Sequence, residues 1–311
     1  VYGILDTGYV GYNTRVATGS VVNKTTGNAF STSAESTSRL GFKGVEDLGG
    51  GTSAFFTLEL GLNPNGQQAI NTATTQNRQT FVGLKKNGIG QFALGTQYTI
   101  VHNAVAATDP GQANNISGNV IYPAITGGTG STENSTGAAY TVRTNNQLSL
   151  SSETFAGFKA NALLVMDNRN QNQTTTISGA VTTATGGLNN QNGWGLGLDY
   201  TWKKLFATAN YQAFTSKQST QTLNTGATTW ATYFVAGGPA VGYGAGSSAP
   251  GTNVQDNQWY LATTYDFGIL KAYAQYINRK VSAQQNNNYY LSRTAEQIGV
   301  RSFITPTVEA W

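Results

Sequence analysis

The stretch Ser38–Gly51 reads SRLGFKGVEDLGGG, and it restricts the possible folds more than any other part of the chain. Leu40, Phe42 and Gly44 fall on one face of an extended segment, and Arg39, Gly41, Lys43 and Val45 on the other, ahead of a glycine-rich turn. Side chains alternate across a β-strand, so one face is apolar and the other carries two cations. A soluble sheet would bury the first face and wet the second. A membrane barrel would set the first against lipid and the second against a water-filled lumen.

The rest of the chain repeats this unit. Strands are expected at Val1–Tyr12, Thr52–Leu62, Asn77–Lys85, Gln91–Tyr98, Arg143–Ser152, Phe158–Asp167, Trp194–Trp202, Leu205–Phe214, Trp259–Phe267, Ile269–Asn278 and Thr294–Ile304. Trp194–Trp202 alternates most cleanly, with Trp194, Leu196, Leu198, Tyr200 and Trp202 opposite Gly195, Gly197, Asp199 and Thr201. Together with the Ser38 strand this makes about twelve strands, and Thr305–Trp311 starts another, each near the 9–11 residues that cross a bilayer at a tilt. Long polar connections (Asn13–Ser36, Thr99–Tyr140, Thr215–Asp256) alternate with short turns such as Lys86–Gly90 and Lys203–Lys204. Short turns on one side and long loops on the other are the rhythm of outer-membrane barrels. Tyr9, Tyr12, Tyr98, Trp202 and Tyr265 stand at strand ends, where aromatic girdles are expected.

Composition agrees. Only 10% of the 311 residues are charged, against roughly 25% in soluble domains. No stretch approaches the ~18 consecutive apolar residues of a membrane-crossing helix, so neither such a helix nor a retained signal peptide is expected. Cysteine is absent and the formal charge is +4, which leaves no disulfide framework or thiolate metal site and no basic patch for nucleic acid.

Electrostatics sets the register. An Arg or Lys on the lipid face at midplane costs about 2–4 kcal/mol. Arg39, Lys43, Arg78, Arg143, Lys159, Lys271 and Arg301 are therefore expected inside, with Asp6, Glu59, Asp199 and Asp266 as inward acids. Seven cations against four anions leave the lumen at +3. For Arg78 this requires Phe81 and Gly83 to look outward, because Thr80, Val82 and Leu84 share the arginine's parity.

STSRLGFKGVEDLGGG, the opening VYGILDTGY, NRQTFVGLK and FAGFKANAL resemble the general trimeric porins of Gram-negative outer membranes, most closely the betaproteobacterial type. The resemblance spans about Val1–Tyr98 and Arg143–Ile304. It implies a sixteen-stranded all-β transmembrane barrel and a homotrimer embedded in outer-membrane lipid and lipopolysaccharide. It further implies a third loop folded into the lumen. With about twelve strands and a start over residues 1–311, the chain reads as one barrel domain truncated at its C-terminus. Arg39, Arg78 and Arg143 match three constriction arginines of the family. Glu59 matches an acid at the base of the third loop, which maps to Thr99–Tyr140 and holds Asp109 and Glu133. Lys43, Lys159, Lys271, Arg301 and Asp6 are secondary lumen charges. Thr96 stands where relatives often carry a further arginine.

The implied function is passive diffusion of small hydrophilic solutes and ions, with a preference for anions and no cofactor. A substrate-specific channel should show an aromatic slide, yet the inward aromatics expected here (Tyr260, Tyr273, Phe303) are scattered. A surface adhesin anchored by a barrel is the other alternative. His102, the single histidine, has no nucleophile and acid at fixed spacing, which argues against hydrolysis. Asp167–Asn172 lacks the glycine and closing glutamate of a calcium loop.

Overall fold

Among the described residues, thirteen antiparallel strands form one sheet whose order follows the chain. In this computed structural model the described residues are 1–18, 21–32, 35–66, 68–70, 77–115, 120–121, 142–178, 181–218, 221–222, 234–235, 238–239, 248–249, 252–284, 290–306 and 308–311. Strand β1 (Tyr2–Ile4) pairs with β4 (Arg39–Gly49), while β2 (Thr7–Thr18) and β3 (Val21–Thr32) pair as a separate hairpin. The sheet continues through β5 (Thr52–Gly61), β6 (Asn77–Lys86) and β7 (Gly90–Tyr98). Helix α1 (Ile100–Thr108) follows, then β8 (Arg143–Ser152), β9 (Phe158–Ser178), β10 (Val181–Trp202) and β11 (Leu205–Gln218). Four two-residue ladder segments come next: β12 (Gln221–Thr222), β13 (Phe234–Val235), β14 (Gly238–Pro239) and β15 (Ser248–Ala249). The sheet ends with β16 (Thr252–Asp266), β17 (Lys271–Ala283), β18 (Tyr290–Thr305) and β19 (Val308–Ala310), and among the described residues β1 and β19 are not paired to each other.

Several segments expected to be loops are strands. Asn13–Ser36 is mostly the β2–β3 hairpin, and the expected first strand breaks at Leu5–Asp6. Likewise β9, β10, β11 and β16 run well past their predicted ends. The reason is physical: a strand that has left the bilayer is wet on both faces, so its residues need not alternate although its ladder continues. The Asp6 carboxylate fixes the break, accepting from the backbone N–H groups of Glu35 (2.7 Å) and Ser36 (2.6 Å).

The outer face is the apolar one. Phe92, Leu150, Leu196 and Trp259 lie in hydrogen-bonded register along one row, and all are exposed. Tyr211 fills the row between Leu196 and Trp259, 4.4 Å from the latter ring. On β4, Phe42 points outward and Arg39 inward, as the charge argument requires.

Helix α1 explains an exception to polar-inside. Thr99 caps it, its hydroxyl accepting from His102 N, and Pro110 follows its C-terminal end. The buried face, Ile100, Val101, Ala104 and Val105, packs on inward Leu163, Val165, Phe214, Ala262 and Ile277. Burying a valine fully contributes about 1.5–3 kcal/mol, and Val101 and Val105 are both 0% exposed. Thr108 Oγ1 hydrogen-bonds Tyr260 Oη, which also donates to Gln275 Oε1 at 2.9 Å. The expected irregular segment Thr99–Tyr140 thus opens with a helix held against the inner wall.

Candidate functional site

Arg39, Arg78 and Arg143 come together where α1 leaves the wall. The centre of the group is Glu59 on β5, only 2% exposed. Arg78 Nε donates to Glu59 Oε1 at 2.7 Å, and Arg39 Nη1 lies 4.0 Å from the same oxygen. The other carboxylate oxygen accepts from Tyr2 Oη at 3.0 Å. Tyr2, Gly41 and Glu59 form one cross-strand row. A Cβ on Gly41 would fall 2.2 Å from the Tyr2 ring, so only glycine lets that ring lie across β4 and reach the carboxylate.

Arg78 reaches the lumen by a route the alternation did not predict. Below it, Gln79, Phe81 and Gly83 face inward, whereas Val82 (60% exposed) and Leu84 face out. The requirement that Phe81 and Gly83 look outward is therefore wrong, yet Arg78 is still inside. Between Glu59 and Leu60 the β5–β6 register shifts, pairing Glu59 with Gln79 and Leu60 with Asn77. The bulged residue is Arg78, and a bulge re-aims a side chain in this way.

Tyr98 ties the cluster to the helix. Its hydroxyl accepts from Arg78 Nη2 at 2.6 Å, the Arg143 guanidinium lies 5.5 Å from its ring centre, and its other contact is His102 on α1. Tyr98 is consequently a lumen residue and not part of an aromatic girdle. The Tyr98 and His102 rings are stacked 4.2 Å apart. Burial and the positive charge of Arg143, Arg78 and Arg39 push the His102 imidazole down to about 3. It is neutral at neutral pH.

The remaining charges are spread more widely. Asp109 is on the far side of α1, accepting from Ala113 N at 2.6 Å and lying 3.5 Å from the Gln275 amide. Glu59 stands among the arginines and not across from them. Glu133 lies outside the described residues. Lys43 sits over the Tyr2 ring (5.5 Å) and Lys271 over Tyr273 (5.1 Å). Arg301 Nη2 donates to Glu309 at 2.5 Å. Lys159 pairs in register with Asp199, and Asp6 serves the strand break described above.

Sequence reasoning missed two features. Asp256 and Arg279 form a buried bidentate pair (2.6 and 3.0 Å) on the inner wall; Asp256 was expected in a loop and Arg279 past a strand end. The landing wall of α1 was missed as well, although the uninterrupted apolar run Ala162–Met166 signals a strand covered on both faces.

Comparison with known proteins follows the same lines. The family model described as Gram-negative porin matches residues 1–295. Over 122 residues the chain is 34% identical to major outer membrane protein P.IB of Neisseria gonorrhoeae, covering 39% of this chain and 33% of that protein. An outer membrane porin protein of Bordetella pertussis is 35% identical over 82 residues, 25% of this chain and 21% of that one. The chain thus aligns with a third or less of these relatives' own length. An anion-selective porin from Comamonas acidovorans superposes with a TM-score of 0.65 at 22% identity, covering 99% of this chain and 74% of that structure. At that identity the likeness establishes the fold.

Proposed function

The chain belongs to the Gram-negative porin family, whose members reside in the outer membrane, and from that premise we propose that it is a passive, anion-preferring channel for small hydrophilic solutes. Family and fold point to a channel and not to an enzyme. The observation that carries the charge preference is the arginine cluster: Arg39 and Arg78 meet the carboxylate of Glu59, and Arg143 joins them across the Tyr98 ring. At an effective dielectric near 20, one net charge about 6 Å from a passing ion is worth roughly 3 kcal/mol. That favours anions while still letting them leave, as conduction requires.

Helix α1 supplies the narrowing in this reading. It takes up space on the inner side of β9–β11, β16 and β17, and its first turn lies beside the cluster through the Tyr98–His102 stack. Arg39, Arg78 and Arg143 then act as the selecting wall, Glu59 holds Arg39 and Arg78 in place, and Asp109 lies at the end of the helix remote from them. A homotrimer in outer-membrane lipid, with lipopolysaccharide outside, is part of the same reading, and membership of the family supports the trimer.

Reconstitution into planar bilayers tests the channel itself. Discrete open-channel steps, together with swelling of protein-loaded liposomes in small uncharged solutes, are the expected result. Folded protein that inserts without conductance would overturn the proposal.

A further inference from the structure

Beneath α1, towards the short turns, lies a second lumen feature of different chemistry. A cavity of ≈ 340 Å³ is enclosed by the helix and β5–β11, within the roughly 300–1,000 Å³ of small-molecule sites. Its aromatic part is Phe55, Phe81 and Phe206, with Tyr98 where the cavity borders the arginine cluster. Phe55 and Phe81 meet edge to face, 6.3 Å apart at 79°. Phe55 lies against Gly83, where a Cβ would come within 2.5 Å of its ring.

The polar part divides in two. One set is locked: Ser149 Oγ donates to Gln97 Oε1 (2.6 Å), and Asn161 links Ser151 (2.7 Å) to Asp199 (2.8 Å). The other set has capacity to spare. The side-chain amides of Gln79, Gln91 and Asn103 line the cavity and have no hydrogen-bond partner among the described residues. An amide offers both donors and acceptors, which suits a hydroxyl group better than an ion. The two charges at the edge, Lys159 and Asp199, cancel. Free amides beside phenyl rings and no net charge define the ligand: hydroxyls for the amides, a C–H face for the rings.

We propose that this chamber, bounded by Phe55, Phe81 and Phe206 and by the free amides of Gln79, Gln91 and Asn103, is a weak subsite for a neutral polyhydroxylated solute of about monosaccharide size. It rests on the reading of the lumen as an aqueous path, and it adds a solute preference that the arginine cluster does not provide. Aromatic surface, together with amides that exchange water for the hydroxyls of a solute, slows its passage without trapping it.

The test is single-channel recording of the full chain with D-glucose added on the short-turn side, against tetraethylene glycol at equal osmolality. Glucose should lower the open-channel current saturably, half-maximally at a roughly millimolar concentration, while the glycol gives only a linear decrease. Phe81→Ala should raise the half-maximal concentration about tenfold, the ~1.4 kcal/mol of an aromatic contact. Gln91→Ala, at an exposed position that packing does not need, should raise it in the same direction. Identical responses to glucose and glycol, or an unshifted half-maximal concentration in both variants, would overturn the subsite while leaving the channel intact. No current at all would instead remove the diffusion-channel reading, and the subsite with it.

Discussion

Tyr98 and His102 stack face to face, with ring centres 4.2 Å apart and planes 6° from parallel. This contact joins the last residue of β7 to the first turn of α1 and places a neutral imidazole beside three arginines. Moving the helix would therefore disturb the arginines, and disturbing the arginines would loosen the helix.

His102 should not gate the channel near neutral pH. Its imidazole is pushed down to about 3 by burial and by Arg143, Arg78 and Arg39. Conductance should therefore be flat between about pH 5 and pH 8, with no step near the ordinary histidine value of ~6.5. The folded protein binds this proton less readily than the unfolded chain. Its stability contribution is thus full above ~6.5 and is lost progressively as pH falls from there towards 3. A conductance step near 6.5 in the parent that vanishes in His102→Gln would contradict the stacked, neutral state.

Glu59→Gln should cost stability. The change leaves Arg78 (8% side-chain exposure) without its ion pair and exposes it to Arg39. Breaking a buried pair by removing one partner costs about 3–5 kcal/mol, so the unfolding midpoint in urea should fall clearly. The same variant should be more anion-preferring, since the cluster gains one net positive charge. An unchanged midpoint would mean that the pair is hydrated and contributes little.

Gly41→Ala and Tyr2→Phe should be non-additive. A Cβ at position 41 displaces the Tyr2 ring and so removes the Tyr2–Glu59 hydrogen bond. Each single change should cost about 1 kcal/mol for that bond, and the double variant little more than Gly41→Ala alone. Strict additivity in a double-mutant cycle would show that the two residues act separately.

Tyr260→Phe should loosen the helix without unfolding the barrel. It removes the hydroxyl bridging Thr108 and Gln275, worth about 1–2 kcal/mol for two hydrogen bonds. Faster amide exchange in residues 100–108 and noisier open-channel current are expected. Exchange equal to that of the parent would mean that apolar packing alone holds α1.

The sequence was most readable where lipid enforces a rule. Trp194, Leu196 and Leu198 had to face out, and Arg39 had to face in, because the opposite arrangement costs kilocalories. Outside the membrane that rule lapses, so the β2–β3 hairpin and the outer parts of β9 and β10 read as polar loops. Within the lumen, the Arg78 bulge breaks parity by a single residue, which no periodicity can signal. Tyr98 ends a strand in the manner of a girdle aromatic, yet the helix beside it turns the residue into a lumen contact. Among the chamber aromatics, Phe55 and Phe206 were passed over and Phe81 was expected to face outward, for a related reason: inward phenyl rings look misplaced until α1 and the amides around them are seen.

The central claim is that Arg39, Arg78 and Arg143 make this lumen favour anions. The most direct measurement is the zero-current potential across a planar bilayer under a potassium chloride gradient, for the parent and for Arg39→Gln/Arg78→Gln/Arg143→Gln. The account predicts a potential of anion-preferring sign in the parent, shrinking as salt rises and screening shortens to about 3 Å at 1 M. It predicts a shift towards zero or cation preference in the triple variant. A cation-preferring parent, or a triple variant with the parent's potential, would contradict it.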